Sequence, residues 1–361
     1  MIAKANQLPF IKVVGDNWER GYSHGEQCSD LIRRNILICK ELCKAMRKSD
    51  WQTLLEDARR FIKPLKKNDI NIYQEFEGIA AGAGVSIEEI VFLNVRTDIH
   101  TPSWNKASLT KGCTSFIIGK EKTTNQKVYA AQTWDWIKEA EDVLIILNSD
   151  DGKGHQSLTI TEAGIVGSMG INNQGLVTLL NFLYTHEINT NGAPYHVLLK
   201  RSLDSKNVFD AQRNLSKSPI AFAVNVMLAD IKNSILGIEL TSRGIDYYKD
   251  EKGYILHTNH FISDLLKERG NLITLPESMA RYNTAQSFIE NKSDFELNDI
   301  INLFTTHVDT KFNICRHIGE NNVPTLFTVI FELTEMQMYL SVGHPCENAF
   351  INYDLNQIFK R

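Results

Sequence analysis

The sequence predicts an α+β protein: a helical leading segment, then a body of two antiparallel β-sheets covered by helices. Three observations carry that prediction. The first hundred residues repeat apolar side chains at three- and four-residue steps, the period of a helix. From Cys113 onward, short β-branched and aromatic runs alternate with turns rich in Gly, Asn and Asp. Helical stretches then interrupt the strands, which is how two sheets acquire outer layers and become a four-layer αββα sandwich.

The elements follow in order. Residues 18–46 set Cys28, Leu31, Ile32, Ile36, Cys39, Leu42 and Cys43 on one stripe. Residues 51–62 and 70–83 keep the helical period, and Gly82-Ala83-Gly84 ends the second of them. Ser86 opens another helix as N-cap, with Glu89 in the capping-box position. Residues 101–110 read as a polar, exposed loop leading to Gly112 and Cys113. Residues 114–118 and 128–136 flank the polar turn 120–127 and read as a β-hairpin. Further strands are expected at 142–148, 156–161, 166–171, 176–183, 221–229, 234–241, 254–257, 325–332 and 336–341. Helices are expected at 197–216, 278–290 and 297–307. The chain therefore divides into a leading segment, 1–112, and a body, 113–361.

Composition narrows the function. With 43% hydrophobic and 23% charged residues and a net charge of −4, nothing suggests a nucleic-acid surface. No apolar run approaches the roughly 18 residues that span a bilayer. No charged leader precedes an apolar stretch, so a cytoplasmic protein with reduced thiols is expected. The cysteines are 28, 39, 43, 113, 315 and 346. Cys39 and Cys43 read as small buried hydrophobes. Neither Cys-x-x-Cys nor His-Glu-x-x-His occurs, and His257 and His260 lack a cysteine nearby, so no metal is expected. His344-Pro345-Cys346 reads as a structural turn.

The chemistry concentrates at Gly112-Cys113. Chance alone supplies roughly 0.35 Gly-Cys pairs in a chain of this composition, so the dipeptide by itself carries nothing. The hairpin changes the weighing, because Asp135 closes its second strand and antiparallel pairing brings that carboxylate beside the Cys113 thiol. A cut before Cys113 would put a thiol and a free α-amine on one residue. Their ordinary pKa values, near 7.7–8.0 for the amine and about 8.5 for the thiol, let them exchange a proton readily. The amine then serves as base, and no histidine is needed. The thiol can make the cut itself by attacking the Gly112 carbonyl, since glycine has no Cβ in the way. The plainer alternatives are a buried cysteine beginning a strand and a strand-end aspartate forming a turn.

These residues resemble the motifs of the autoproteolytic acyltransferases typified by the fungal acyl-coenzyme A:6-aminopenicillanic acid acyltransferases. The resemblance to the bile-salt (choloylglycine) hydrolases is more distant, and both are N-terminal-nucleophile hydrolases. It rests on Gly112-Cys113-Thr114-Ser115, Gln132-x-Trp134-Asp135-Trp136, Asn181-Phe182 and Thr258-Asn259-His260. Glu19-Arg20-Gly21-x-x-x-Gly25 and Leu93-Asn94-x-Arg96 extend it into the leading segment. The resemblance implies the αββα N-terminal-nucleophile fold with a helical pro-segment, self-cleavage at Gly112–Cys113, and Cys113 as nucleophile. It implies Asp135 as anchor of the new ammonium, and Asn259 and Asn181 as donors to the oxyanion. Trp134 and Trp136 are expected on the opposite face, shielding the site. Gln132 stands where bile-salt hydrolases carry an arginine, which favours the acyltransferase branch. Arg281, in Ser278-x-x-Arg281, matches an arginine near their nucleophile, with an exposed helix arginine as the alternative.

The implied reaction cleaves amide or acyl thioester bonds through an acyl-Cys113 intermediate. Its partners are a small-molecule amide or thioester, acyl-coenzyme A among the admissible substrates, and the chain's own cleaved leading segment. No cofactor, nucleic acid or membrane is expected. The rival readings are an unprocessed binding or scaffold protein of the same fold, a choloylglycine-hydrolase-like amidase, and a papain-like pairing of Cys113 with His260. The Asn259-His260 order and the absence of Cys-Gly-Ser-Cys-Trp tell against the last.

Overall fold

The computed structural model describes every residue except 1–6, 48, 101–111, 250–251, 270–274, 308–311, 319–322 and 361. The loop expected at 101–110 lies outside the described residues. Two sheets dominate the body. The larger runs, in spatial order, through Phe10–Val14, Leu144–Asp150, Gln156–Glu162, Gly170–Asn172, Val177–Phe182, Val224–Ala229, Ile235–Thr241 and Gly244–Lys249. The smaller runs through Tyr254–His257, Ser115–Ile118, Tyr129–Asp135, Thr325–Glu332, Gln337–Val342 and Ile351–Asp354.

Alternation along the strands separates the layers, because successive side chains point to opposite faces. In the smaller sheet, Ile117, Ala130 and Val329 join the core shared with Leu179 and Val226 of the larger sheet. Their neighbours Phe116, Ile118, Ala131 and Ile330 instead meet Ala285, Ile289, Leu303 and Phe304. These last four belong to the helices Pro276–Glu290 and Leu297–Thr305, and Phe116 stacks on Phe304 with ring centroids 5.0 Å apart. On the far side, helices Tyr195–Leu203 and Val208–Ser216 cover the larger sheet together with the leading helices. The αββα order expected from the sequence is the order found.

The leading segment departs from its purely helical expectation. Phe10–Val14 is a strand that pairs parallel with Leu144–Asp150, so the larger sheet is not wholly antiparallel. The helical stripe of 18–46 is buried at Cys28, Ile32, Ile36, Cys39 and Cys43, but the helix breaks at Cys28 into Asn17–Gln27 and Ser29–Arg47. The stretch 197–216 likewise divides, with Asn207 capping its second helix by accepting from the Asp210 N–H. Gly244–Lys249 and Ile351–Asp354 were not expected. Both lie on sheet edges and are half exposed, so neither shows an apolar pattern. The Ser86 capping box is formed: Ser86 N–H donates to Glu89 and the Glu89 N–H to Ser86 Oγ.

Both motifs of the leading segment are packing devices. Gly21 and Gly25 lie against Gly78 and Gly82 of Ile70–Ala83, where a Cβ on any of the four would sit 2.1–2.3 Å from a backbone oxygen of the other helix. Only glycine allows that backbone-to-backbone crossing. Asn94 donates to Gly164 O and accepts from Val166 N–H, and Arg96 pairs with Glu162 at 2.6 Å, both side chains buried. Asp69 receives a two-pronged contact from Arg201 at 2.7 and 2.6 Å. A buried pair of this kind costs about 3–5 kcal/mol when one partner is removed.

Candidate active site

The hairpin places Cys113 as expected. Ser115 pairs with Gln132, and beyond the last ladder residue Thr114 and Thr133 continue the pairing through Thr133 N–H to Thr114 O (3.0 Å) and Thr114 N–H to Thr133 Oγ1 (3.1 Å). Cys113 therefore reaches Asp135, whose backbone N–H donates to the thiol. The cleft around Cys113 is tight, about 20 Å³, and is lined by Gly112, Asp135, Trp134, Trp136, Phe182, Tyr184 and Asn259 among others. Both tryptophans thus form its walls rather than a shield on the opposite face. Thr97, from the leading segment, also lines it and meets the Tyr195 hydroxyl at 3.3 Å.

Electrostatics of the cleft follow from its dryness. Burial, with the Asp135 charge beside it, pushes the Cys113 thiol up to about 12, so in the intact chain the sulfur holds its proton at neutral pH. Burial also raises Asp135 to about 6, against the pull of the Arg316 and Arg281 guanidiniums. Its Oδ1 accepts from the Thr325 hydroxyl at 2.8 Å. Among the described residues its Oδ2 is buried without a hydrogen-bond partner at ordinary distance. Such an oxygen is costly to leave unmade, and it lies where a donor belongs.

Arg281 is not an exposed helix arginine. It is buried on Pro276–Glu290, donates through Nη1 to Cys113 O (2.7 Å) and Thr114 Oγ1 (3.1 Å), and through Nη2 to Asn259 Oδ1 (2.9 Å). Ser278, one helical turn earlier, accepts from the Asn259 N–H at 2.8 Å and contacts Thr258 and His260. One helix face thus fixes both the Cys113 carbonyl and the Thr258-Asn259-His260 loop. Asn259 uses Nδ2 to donate to Phe182 O at 2.9 Å, which leaves its second amide hydrogen for the cleft. A Cβ on Gly112 would lie 2.2 Å from both Asn259 Oδ1 and Arg281 Nη2. Glycine at 112 is therefore a packing requirement as well as a chemical convenience.

Gln132 and Asn181 bridge the two sheets. Gln132 donates to Leu180 O at 2.6 Å, accepts from Leu180 N–H at 3.0 Å and also bonds the Cys113 thiol. Asn181 donates to Ser115 Oγ (2.9 Å) and Cys113 O (3.3 Å), and accepts from Asn225 at 3.1 Å. Its two amide hydrogens are engaged, so in this geometry it holds the Cys113 backbone and has no free donor for an oxyanion. His260 contacts Ser278 and Thr258, and burial lowers it to about 3, so it is neutral and occupied away from Cys113. That removes the papain-like pairing.

Arg316 is the site residue that sequence reasoning missed. After burial it is the strongest influence on Asp135, and among the described residues its buried Nη1 has no hydrogen-bond partner. Its backbone pairs both ways with Thr325, at 2.9 and 3.0 Å. No local motif marks it. The fold also gathers His307, Cys315, His317 and Cys346, although the sequence spacing gave no reason to expect a ligand set; their side-chain donor atoms all lie within 4.8 Å of one another.

The sequence pattern of the acyl-coenzyme A:6-aminopenicillanic acid acyl-transferases matches residues 121–347, more than half of the chain. The acyl-coenzyme A:6-aminopenicillanic-acid-acyltransferase 40 kDa form of Emericella nidulans is 26% identical over 331 residues, covering 91% of this chain and 90% of the relative. Among solved structures, penicillin V acylase from Agrobacterium tumefaciens is similar at 13% identity and a TM-score of 0.48, covering 68% of this chain and 87% of that one. A variant of the conjugated bile acid hydrolase from Clostridium perfringens is similar at 15% identity and a TM-score of 0.46, covering 68% and 93%. The chain is thus an enzyme belonging to the acyl-coenzyme A:6-aminopenicillanic acid acyl-transferase family.

Proposed function

We propose that the chain cuts itself between Gly112 and Cys113, and that the freed Cys113 then carries acyl groups from amides or thioesters to water or an amine. The observation that carries this reading is the buried Oδ2 of Asp135 beside Cys113, which has no hydrogen-bond partner at ordinary distance among the described residues. A new α-ammonium on Cys113 supplies the donor that this oxygen lacks, and its charge offsets the desolvation that raises the carboxyl.

In the cut, the Cys113 sulfur attacks the Gly112 carbonyl, the acyl group passes from nitrogen to sulfur, and water hydrolyses the thioester. Gly112 leaves as a carboxylate and Cys113 keeps thiol and amine. In turnover the amine takes the thiol proton and the sulfur attacks the substrate carbonyl. The tetrahedral oxyanion meets the spare Asn259 N–H. Collapse expels the leaving group with the proton held by the α-amine, and water or an acceptor amine releases the acyl group. Arg281 and Asn181, both bonded to Cys113 O, keep the nucleophile in place.

The apolar and aromatic cleft walls favour an apolar acyl group. Acyl-coenzyme A enters as a candidate donor through the family alone. A cytoplasmic location, where thiols stay reduced, suits a cysteine nucleophile. The leading segment stays bound after the cut, held by the 10–14 strand, the Arg96–Glu162 and Asp69–Arg201 pairs and the Asn94 contacts.

Intact-mass spectrometry of the unmutated protein tests the reading. Fragments of roughly 13 and 28 kDa from the 41.0 kDa chain, co-eluting on gel filtration, are expected. Incubation with an acyl thioester should add one acyl mass to the larger fragment. A chain that stays whole after long incubation overturns the cut.

A further inference from the structure

We propose that His307, Cys315, His317 and Cys346 form a tetrahedral structural zinc site on the segment that supports Asp135. His307 follows the helix Leu297–Thr305, Cys315 and His317 lie ahead of the strand Thr325–Glu332, and Cys346 lies in the turn after Gln337–Val342. The two sulfurs are 3.4 Å apart. His317 Nε2 is 3.1 Å from His307 Nε2, 3.2 Å from Cys346 Sγ and 3.8 Å from Cys315 Sγ.

Ordinary zinc bond lengths in a tetrahedron require about 3.8 Å between two sulfurs, about 3.6 Å between sulfur and nitrogen and about 3.4 Å between two nitrogens. These four spacings straddle those values to within about half an ångström, and the His307 ring nitrogen lies within 4.8 Å of both sulfurs. Hydrogen bonding does not account for the cluster. A ring nitrogen either donates one hydrogen or accepts with one lone pair, yet His317 Nε2 faces three other donor atoms at once. A cation at the centre satisfies all four.

The donor set also selects the ion. Two thiolates with two imidazoles suit zinc, and four protein ligands close the coordination sphere, which marks a structural site rather than a catalytic one. Binding sends two thiol protons to solvent and leaves the imidazoles neutral, so the metal and its two thiolates sum to no net charge. The other ring nitrogen of His317, Nδ1, lies 3.6 Å from Glu347 Oε1, the carboxylate support common behind a ligating imidazole. His344 stacks on His317 with ring centroids 4.2 Å apart.

The site's place in the fold gives it a task. Arg316 sits between two of the ligands, its backbone pairs with Thr325, and the Thr325 hydroxyl bonds Asp135. Zinc therefore pins the segment that presents both Arg316 and Thr325 to the carboxylate. It also ties His307, Cys315 and His317 to Cys346 in the turn that follows Gln337–Val342.

The test is metal content of the full chain, purified with reductant and without chelator, read by inductively coupled plasma mass spectrometry and then by titration with zinc alone. One tightly held zinc per chain is expected. Cys346→Ser and His307→Ala, both at exposed positions, should each weaken zinc binding by on the order of 100-fold or more while the chains stay folded by circular dichroism. Cobalt(II) in place of zinc should show thiolate-to-metal charge-transfer bands that fade in Cys346→Ser. Failure of the reduced, unmutated chain to retain zinc overturns the proposal. So does equal zinc retention by the two variants, or a zinc-free chain lighter by two hydrogens through a Cys315–Cys346 disulfide.

Discussion

Cys113 and Cys315 are both buried thiols, and burial raises both above the ordinary range. Their neighbours send them to different chemistry. Among the described residues Cys113 has no second thiol or imidazole in its cleft; it faces one carboxylate, an arginine and two amide side chains. Cys315 faces a second sulfur and an imidazole, with another imidazole beyond. The first arrangement favours a thiol made reactive by a proton acceptor placed next to it. The second favours a thiolate neutralised by a cation. The two regions are joined by Thr325, so the difference lies in donor sets a few residues apart rather than in separate domains.

The largest expected effect breaks the symmetry outright. Cys113→Ala should abolish both the cut and turnover, while zinc content stays at one per chain. Turnover surviving that change would erase the distinction between the two cysteines. Next comes Asn259→Ala in chains already matured, where losing one oxyanion donor should lower kcat by about 100- to 1000-fold with little change in KM. A full-rate variant would show that the cleft does not stabilise an oxyanion through this residue.

Asp135 gives a smaller, pH-dependent effect. Its folded pKa is raised from 3.8 to about 6, so its contribution to stability is fully present below about pH 4 and is lost as pH rises through 6. In an uncut Cys113→Ala background, Asp135→Asn should therefore stabilise the chain at pH 8, by at most about 3 kcal/mol, and change little at pH 4. Urea denaturation at the two pH values measures it. An equal effect at both would mean that the carboxyl is not strained by burial. The smallest effect belongs to Cys346→Ser without metal, where the exposed side chain should matter by only about 0.5 kcal/mol. The same substitution should cost clearly more in zinc-saturated protein, and melting curves with and without zinc sharpen the contrast.

Much of the site was legible because its residues announce themselves locally. A hairpin needs only two β-type runs and a turn, so the Cys113–Asp135 neighbourhood followed from the 114–136 pattern. Asn259 and Gln132 were legible through the resemblance, and both line or touch the nucleophile's surroundings. Arg281 could not be told from a surface arginine, because nothing in its helix's sequence reveals that its face is covered. The strand Phe10–Val14 was hidden for a related reason: five residues acquire strand character only by finding the edge at Leu144–Asp150.

By itself the sequence determined the fold class and the order of most elements, and it singled out 112–113 as the division and Cys113 as the nucleophile that we propose. These are properties of local period, turn composition and a cysteine at a strand start. Only the tertiary structure decided which charges tune Asp135, why residue 112 has no room for a Cβ, and that four residues spread from 307 to 346 converge on one point. Burial and convergence come from elements distant in the chain closing on each other, and spacing along the sequence does not encode them.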